Sequence, residues 1–499
     1  MKYTNEDINL ENGIQKEWII TNGIGGFASS TIIGANTRKY HGLLIAPLTP
    51  PARRYLILSK VDESIEIGGK QYNLYTNIGK NYIAKGYEYQ TSFEKEEIPT
   101  LKYKISDVEI TKQICMKYGE NTVGILYKIK NGKQPTKLTL APLMNFRDFH
   151  SMSTNHEFKI RQENKGTKLK VIIDNMIQNS IYIKVSEGIY IPHNNDIFRN
   201  MFYIEEQKRG FYPEENHAVV GRYEIEIKPN EEKEISFVCS LEENIDELDV
   251  KKLIIKEKQR ISKILEKTEI DFSEKQDKTE DEEKRQELIK NLVISADTFI
   301  AYRPSFRLHT IIAGYPWFLD WGRDSLISFE GLLLKTKRYD IAKEVLKTMM
   351  RDIKYGLVPN GYSGFDNRPL YNSVDASLLL FEQIQKYLEY TKDQEFIKEI
   401  FEKLEIIIEN YKKGIDIDNN NIYLDTDHLI VSGTENTQNT WMDAKVDGVA
   451  VTPRNGKAVE INSMWYNSLK IMENICKELR RKQKSKKICR TSKTNKKFF

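Results

Sequence analysis

The sequence predicts a multidomain β + α protein, an N-terminal antiparallel β-sandwich followed by a helical domain, and three observations predict it. The chain has 499 residues, too many for one ordinary hydrophobic core. From Glu17 to about Leu241 it runs in short β-prone segments such as Tyr55-Leu-Ile-Leu58, Thr122-Val-Gly-Ile-Leu-Tyr127 and Glu234-Ile-Ser-Phe-Val-Cys239. Beyond about Gln286 the apolar residues recur at i, i+3, i+4 and i+7, the stripe of an amphipathic helix. With 39% hydrophobic and 30% charged residues, wholesale disorder is excluded.

Residues 1–241 are expected to form the sandwich, because evenly spaced strands of alternating pattern need an opposed apolar face to bury. Asn22-Gly-Ile-Gly-Gly-Phe-Ala28 contains a formal G-x-G-x-x-A. No helix of the needed length follows it, and the Pro-rich Ala46–Pro51 stands where a ribose-binding acid would be, so a dinucleotide site fails its context test. Its glycines are expected to mark bulges or close backbone approach, with Asn36-Thr-Arg-Lys-Tyr-His-Gly42 as a polar turn nearby. Asn145-Phe-Arg-Asp-Phe-His150 reads equally as a salt-bridge cluster at a sandwich edge or as part of a pocket rim.

Residues 242–285 read as a charged, solvated helical linker. Residues 286–476 then carry six helical periods, at about Gln286–Tyr302, Asp324–Lys335, Tyr339–Lys354, Val374–Thr391, Gln394–Lys413 and Ala458–Leu479. Residues 477–499 hold 11 of the 76 basic residues and one of the 72 acidic ones, so the body before them is mildly acidic. This tail follows a helix without a stop signal and has almost no apolar content, and it is expected to be a non-native, frameshifted or truncated terminus rather than a nucleic-acid arm. Met1–Ile20 has no apolar signal core and no run of about 18 apolar residues occurs, which points to the cytoplasm. Cys115, Cys239, Cys476 and Cys489 lack metal-ligand spacing and are expected to be reduced thiols.

Three loops between the helices carry the chemistry. Tyr315-Pro-Trp-Phe-Leu-Asp-Trp-Gly-Arg-Asp-Ser325 puts flat apolar rings beside planar hydrogen-bonding groups. A sugar needs both, since its C–H face stacks on an aromatic ring and its hydroxyls take carboxylate and guanidinium partners. The bland alternative has Asp324 capping a helix that starts at Ser325 and the tryptophans packed in the core. The loop before the fourth helix contributes Asn372 and Asp375, the latter equally a helix cap. The third, Asn439-Thr-Trp-Met-Asp-Ala-Lys445 with Thr452-Pro-Arg454 and Glu460, sets Asp443 two residues after Trp441. A carboxyl held against an indole in a partly dry pocket is expected to keep its proton and serve as a general acid. Glu460 is expected either in that site or paired with Arg454.

Together these loops resemble the bacterial and archaeal type of glycogen debranching enzyme, the amylo-α-1,6-glucosidase family related in fold to glucoamylases. The resemblance runs from about Glu17 to Ile475 and includes N-G-I-G-G-F, R-K-Y-H-G-L, W-G-R-D-S, Y-N-S-V-D-A, T-W-M-D-A-K and T-P-R-N-G-K-A-V-E-I-N. It implies that the helical part is about half of a glucoamylase-like (α/α)₆ barrel and that the protein hydrolyses α-1,6-linked glucosyl stubs of glycogen or related α-glucans with inversion. The resemblance puts the general acid on Asp443 and the glucose subsite on Trp321, Arg323, Asp324, Asp375, Trp441, Arg454 and Glu460. It puts the general base in a part of the barrel well beyond Glu460, which is absent, leaving Asp320, Glu460 and Asp447 as the nearby candidates for a stand-in. The expected partner is an α-glucan, with no cofactor, metal, nucleic acid or membrane. A glucoamylase-like α-1,4-glucosidase and a non-catalytic α-glucan-binding protein are the alternatives.

Overall fold

The computed structural model describes residues 1–4, 6–154, 158–173, 179–268, 279–364, 366–417 and 420–481. The chain divides into two compact units, Met1–Leu265 and Glu266–Phe499.

The first unit is built on two antiparallel sheets, one of nine strands and one of eight. Strand Thr136–Asp148 pairs with Ala52–Ile67 on one side and Glu214–Ile227 on the other. In the other sheet Val108–Met116 and Thr122–Lys130 pair as a hairpin. Strand Pro99–Ile105 alternates strictly, burying Leu101, Tyr103 and Ile105 while Lys102 and Lys104 face water, the period of a sheet with one wet face. A single apolar core takes Ile57, Val61 and Leu140 from one sheet and Ile114, Ile125 and Phe237 from the other, an arrangement that fits a β-sandwich.

The Gly-rich Asn22–Gly26 segment is the turn between strands Glu17–Thr21 and Phe27–Thr31. Asn22 Oδ1 accepts from Ile24 N at 3.2 Å and Gly26 N at 2.8 Å, and Gly25 sits at φ +94° with its missing Cβ 2.7 Å from Pro51 Cα. Close backbone approach is therefore what these glycines provide. The Asn145–His150 segment lies at the end of a strand and forms a sealed ionic cluster. Arg147 Nη2 donates to Glu215 Oε2 at 2.8 Å and Nε to Oε1, while the Tyr203 hydroxyl donates to Glu215 Oε2 at 2.6 Å. His217 lies within reach of both Asn145 and Tyr203.

The stretch read as a solvated linker needs correction. Helix Val250–Lys267 buries Val250, Leu253, Ile254 and Ile261, and the first three cover Cys115, Leu126, Tyr182 and Val238 on the nine-stranded sheet. Its many lysines and glutamates hide a narrow stripe that is enough to dock one helix. Gly124 allows the contact, since a Cβ there would stand 3.0 Å from Val250 Cγ1. The remaining charged run, Glu280–Arg285, is the start of a second helix, Glu280–Thr298. Thr279 and Glu282 form its capping box, and acids in a first turn suit the helix dipole.

In the second unit the described residues form six helical segments close to those expected. They are Glu280–Thr298, Gly322–Phe329 continued by a π-turn Glu330–Leu334, Tyr339–Arg351, Ala376–Thr391, Gln394–Lys413 and Val459–Glu478. The first ends before Tyr302 because Ile300–Arg303 pairs instead with Leu308–Ile311 as a hairpin. Ala376–Thr391 is buried all round over its first half, residues 376–381, and keeps Gln383, Ile384 and Tyr387 in the core beyond it. No helix among the described residues is long and apolar enough to cross a membrane. Cys115, Cys239 and Cys476 are buried and not joined in a disulfide. Cys489 and residues 482–499 of the expected basic tail lie outside the described residues.

Candidate active site

Three helix N-termini in the second unit carry the motif residues. Arg323 and Asp324 are in the first turn of Gly322–Phe329, Asp375 precedes Ala376–Thr391, and Glu460 opens Val459–Glu478. Trp321, in extended conformation, caps the first of these helices. The loop can enter here because residue 322 is glycine, as a Cβ would stand 2.6 Å from the Pro359 carbonyl oxygen. Gly322 N donates to Asn360 O at 2.8 Å and Arg323 N to Asn360 Oδ1 at 3.3 Å. Asp324 is thus a first-turn residue, and the helix does not wait for Ser325.

Arg323 is the hub. Its Nε donates to Asp375 Oδ2 at 2.6 Å, Nη1 to Asp443 Oδ2 at 2.8 Å and Nη2 to the Thr440 carbonyl at 2.8 Å. Burial opposes its charge, but Asp375 and Asp443 more than offset this and hold its pKa above the usual value. Asp375 makes no capping bond from its side chain. Its second oxygen accepts from Ser373 Oγ, whose oxygen in turn accepts from Ala376 N at 3.1 Å. The loops are further tied by Val374 N donating to Asn439 O at 2.8 Å.

The carboxyls differ sharply in their surroundings. Asp375 is buried, whereas the Asp443 side chain is 41% exposed. Asp443 is therefore not sealed against an indole: its one hydrogen-bond partner among the described residues is Arg323, because the loop turns its carboxylate toward that guanidinium. Asp324 reaches solvent, yet the protein around it displaces enough water to push its carboxyl above the usual range, against the pull of its own backbone N–H and of Arg323 and with smaller repulsion from Asp443 and Asp375.

Arg454 and Glu460 form a two-pronged pair, Nε to Oε1 at 2.9 Å and Nη2 to Oε2. Partial burial would raise the Glu460 carboxyl, but Arg454 and the Trp441 indole N–H outweigh it and the net shift is downward. Trp441 is 55% exposed, Trp317 is 38% exposed, and Trp321 is half-buried, so these rings are not packed away in the core. Asp320 is. Arg303 grips it through Nε to Oδ2 at 2.8 Å and Nη2 to Oδ1 at 2.9 Å, Thr310 Oγ1 adds a third bond at 3.0 Å, and neither charged side chain is more than 1% exposed. That removes Asp320 as a stand-in base. Asp447 lies in the turn of the Lys445–Ala450 hairpin, and among the described residues the Arg323 network closes on Asp375, Asp443 and Thr440 without it.

Sequence reasoning missed Asn360, Ser373 and Thr440. Only Ser373 left a signal, as a hydroxyl two residues before an acid at a helix start. Asn360 Nδ2, Asn372 Oδ1 and Thr440 Oγ1 are sealed from solvent without a hydrogen-bond partner among the described residues.

Residues 16–234 match the family model described as glycogen debranching enzyme N terminal, and residues 294–498 match the one described as amylo-alpha-1,6-glucosidase. A glycogen debranching enzyme of Saccharomyces cerevisiae is 26% identical over 226 residues, a match covering 34% of this chain and 15% of the yeast protein. The chain thus spans a small part of that relative's length. A bacterial glucoamylase solved with acarbose aligns with a TM-score of 0.52 and 12% identity, over 99% of this chain and 65% of that one. At that identity the likeness shows a glucoamylase-like fold and nothing further.

Proposed function

The chain is a glycogen debranching enzyme-type protein, and from that premise we propose that it is a glycoside hydrolase removing α-1,6-linked glucosyl branches from glycogen or a related α-glucan in the cytoplasm. The helical unit supplies the first half of an (α/α)₆ barrel, and its loops receive the branch glucose. Trp321 and Trp441 offer ring faces to the sugar, while Arg454, Glu460 and Asp324 offer planar hydrogen-bonding partners to its hydroxyls. The observation that carries this reading is Asp443, a carboxyl bonded at one oxygen on a side chain that is 41% exposed, two residues from an exposed tryptophan.

Asp443 acts as the general acid and protonates the leaving glycosidic oxygen. In an inverting reaction a second carboxylate, roughly 6.5–9.5 Å away, activates water on the opposite face of the sugar. Asp320 and Glu460 are both committed to arginines, so neither supplies that base. Incubation with a limit dextrin carrying single-glucose stubs is expected to release glucose, first as the β-anomer by proton NMR. Preference for maltose-type over isomaltose-type substrates would move the protein to an α-1,4-glucosidase. The commitment of Asp320 and Glu460 favours a second reading, α-glucan binding without turnover, which saturable glycogen binding with no glucose at high protein concentration would establish.

A further inference from the structure

We propose that Arg323 is the positioning residue of the general acid: it anchors Asp443 through Oδ2, so that Oδ1 is the oxygen that carries the catalytic proton. The inference rests on the hydrolase reading and changes the role of Arg323, which the resemblance puts on the substrate. A carboxyl oxygen accepting from a guanidinium N–H at 2.8 Å has that direction filled, and the proton belongs on its neighbour. Oδ1 has no bond among the described residues, and the side chain reaches solvent.

The guanidinium is itself clamped. Nε and Nη2 are tied to Asp375 and to the Thr440 carbonyl, and Ser373 orients Asp375 from behind. Those two bonds fix the guanidinium plane and with it the directions of the Nη1 N–H groups, one of which meets Asp443. Exposure rises along this chain of contacts, from 2% at the Asp375 side chain to 9% at Arg323 and 41% at Asp443, so rigidity is greatest where no substrate reaches. In the reaction the Oδ1 proton passes to the glycosidic oxygen as its bond to C1 breaks. Water forms the new C1–O bond and yields a proton to the second carboxylate, and Asp443 is left ionised, to be reprotonated by solvent.

Leaving-group dependence tests this. A glucan needs protonation to leave, whereas fluoride departs without it. In Arg323→Lys, which keeps a positive charge beside Asp375 but cannot fork to three partners, kcat on an isomaltose-type substrate is expected to fall by about 100-fold, the scale of general-acid catalysis. Its KM is expected to change little, and turnover of α-D-glucosyl fluoride to fall less than about tenfold, since that reaction does not draw on the acid. Asp375→Asn, which retains the guanidinium but loosens it, should show the same pattern more weakly, with circular dichroism confirming that both variants are folded. Equal losses on the two substrates, or a raised KM with kcat kept, would show Arg323 on the sugar and overturn the proposal. A wild-type chain that turns over neither substrate would instead overturn the hydrolase reading and the proposal with it.

Discussion

The two units each hold an arginine–carboxylate cluster, and they are built to opposite ends. In the β unit Arg147 and Glu215 are 6% and 0% exposed, and Glu215 is met by Arg147, Tyr203 and the Ser153 N–H. In the helical unit Arg323 grips one carboxylate that is sealed and one that is left open. The residue types are nearly the same. An ion pair closed on every side is structural, whereas one that spends a single oxygen of its acid and leaves the other wet is equipped to move a proton. The Arg303–Asp320 pair, closed like the first, shows that the distinction follows packing and not the unit.

The comparison breaks if activity and stability do not separate between the clusters. Asp443→Asn is expected to cost the largest effect, about 10²–10⁴ in kcat, with glycogen binding kept and the unfolding temperature little changed, as glucose assays, binding isotherms and calorimetry will show. Glu215→Gln should do the reverse, lowering stability by about 3–5 kcal/mol because Arg147 is left buried and unpaired, without altering turnover per folded molecule. Denaturant titration followed by activity of the surviving fraction separates the two.

A third expectation sharpens the contrast through pH. Burial, with further opposition from Arg147, pushes His217 down to about 4 even though Glu215 pulls the other way. The unfolded chain therefore takes up a proton near pH 6.5 that the folded one refuses until about pH 4, and stability drains as pH falls through that window. Glu215 acts in the same direction at lower pH: burial would raise its carboxyl, Arg147 and His217 outweigh that, and the stability its lowered pKa gives is lost as it protonates. His217→Gln should flatten the upper part of a plot of melting temperature against pH. The smallest effect belongs to Trp441→Ala, which should weaken glucan affinity by about 0.5–1.5 kcal/mol of stacking with no loss of stability, read from KM and calorimetry.

Much of the helical unit was legible because period and burial agree there. Gln394–Lys413 was read to the residue, and Asp393 caps it through a bond from Phe396 N at 3.0 Å. Strand Ala52–Ile67 was read only at Tyr55–Leu58, since Lys60, Asp62 and Glu63 interrupt its apolar pattern. They are nonetheless buried, with Lys60 bonded to the Thr76 carbonyl and Glu63 to Tyr127. In the site, the residue types were visible but their obligations were not. Arg323 meets partners 52 and 120 positions away, and nothing local distinguishes Asp320, locked by Arg303, from Asp443, which is free at one oxygen.

The helix laid over Gly124 also decides where this protein can be cut. A fragment ended at Leu241, where the strands stop, would bare Cys115, Leu126, Tyr182 and Val238, a sticky floor that invites self-association. A fragment carried through Lys267 takes its own lid with it, and the useful boundary for expressing the β unit alone lies after the helix that the charge pattern had disguised as a spacer.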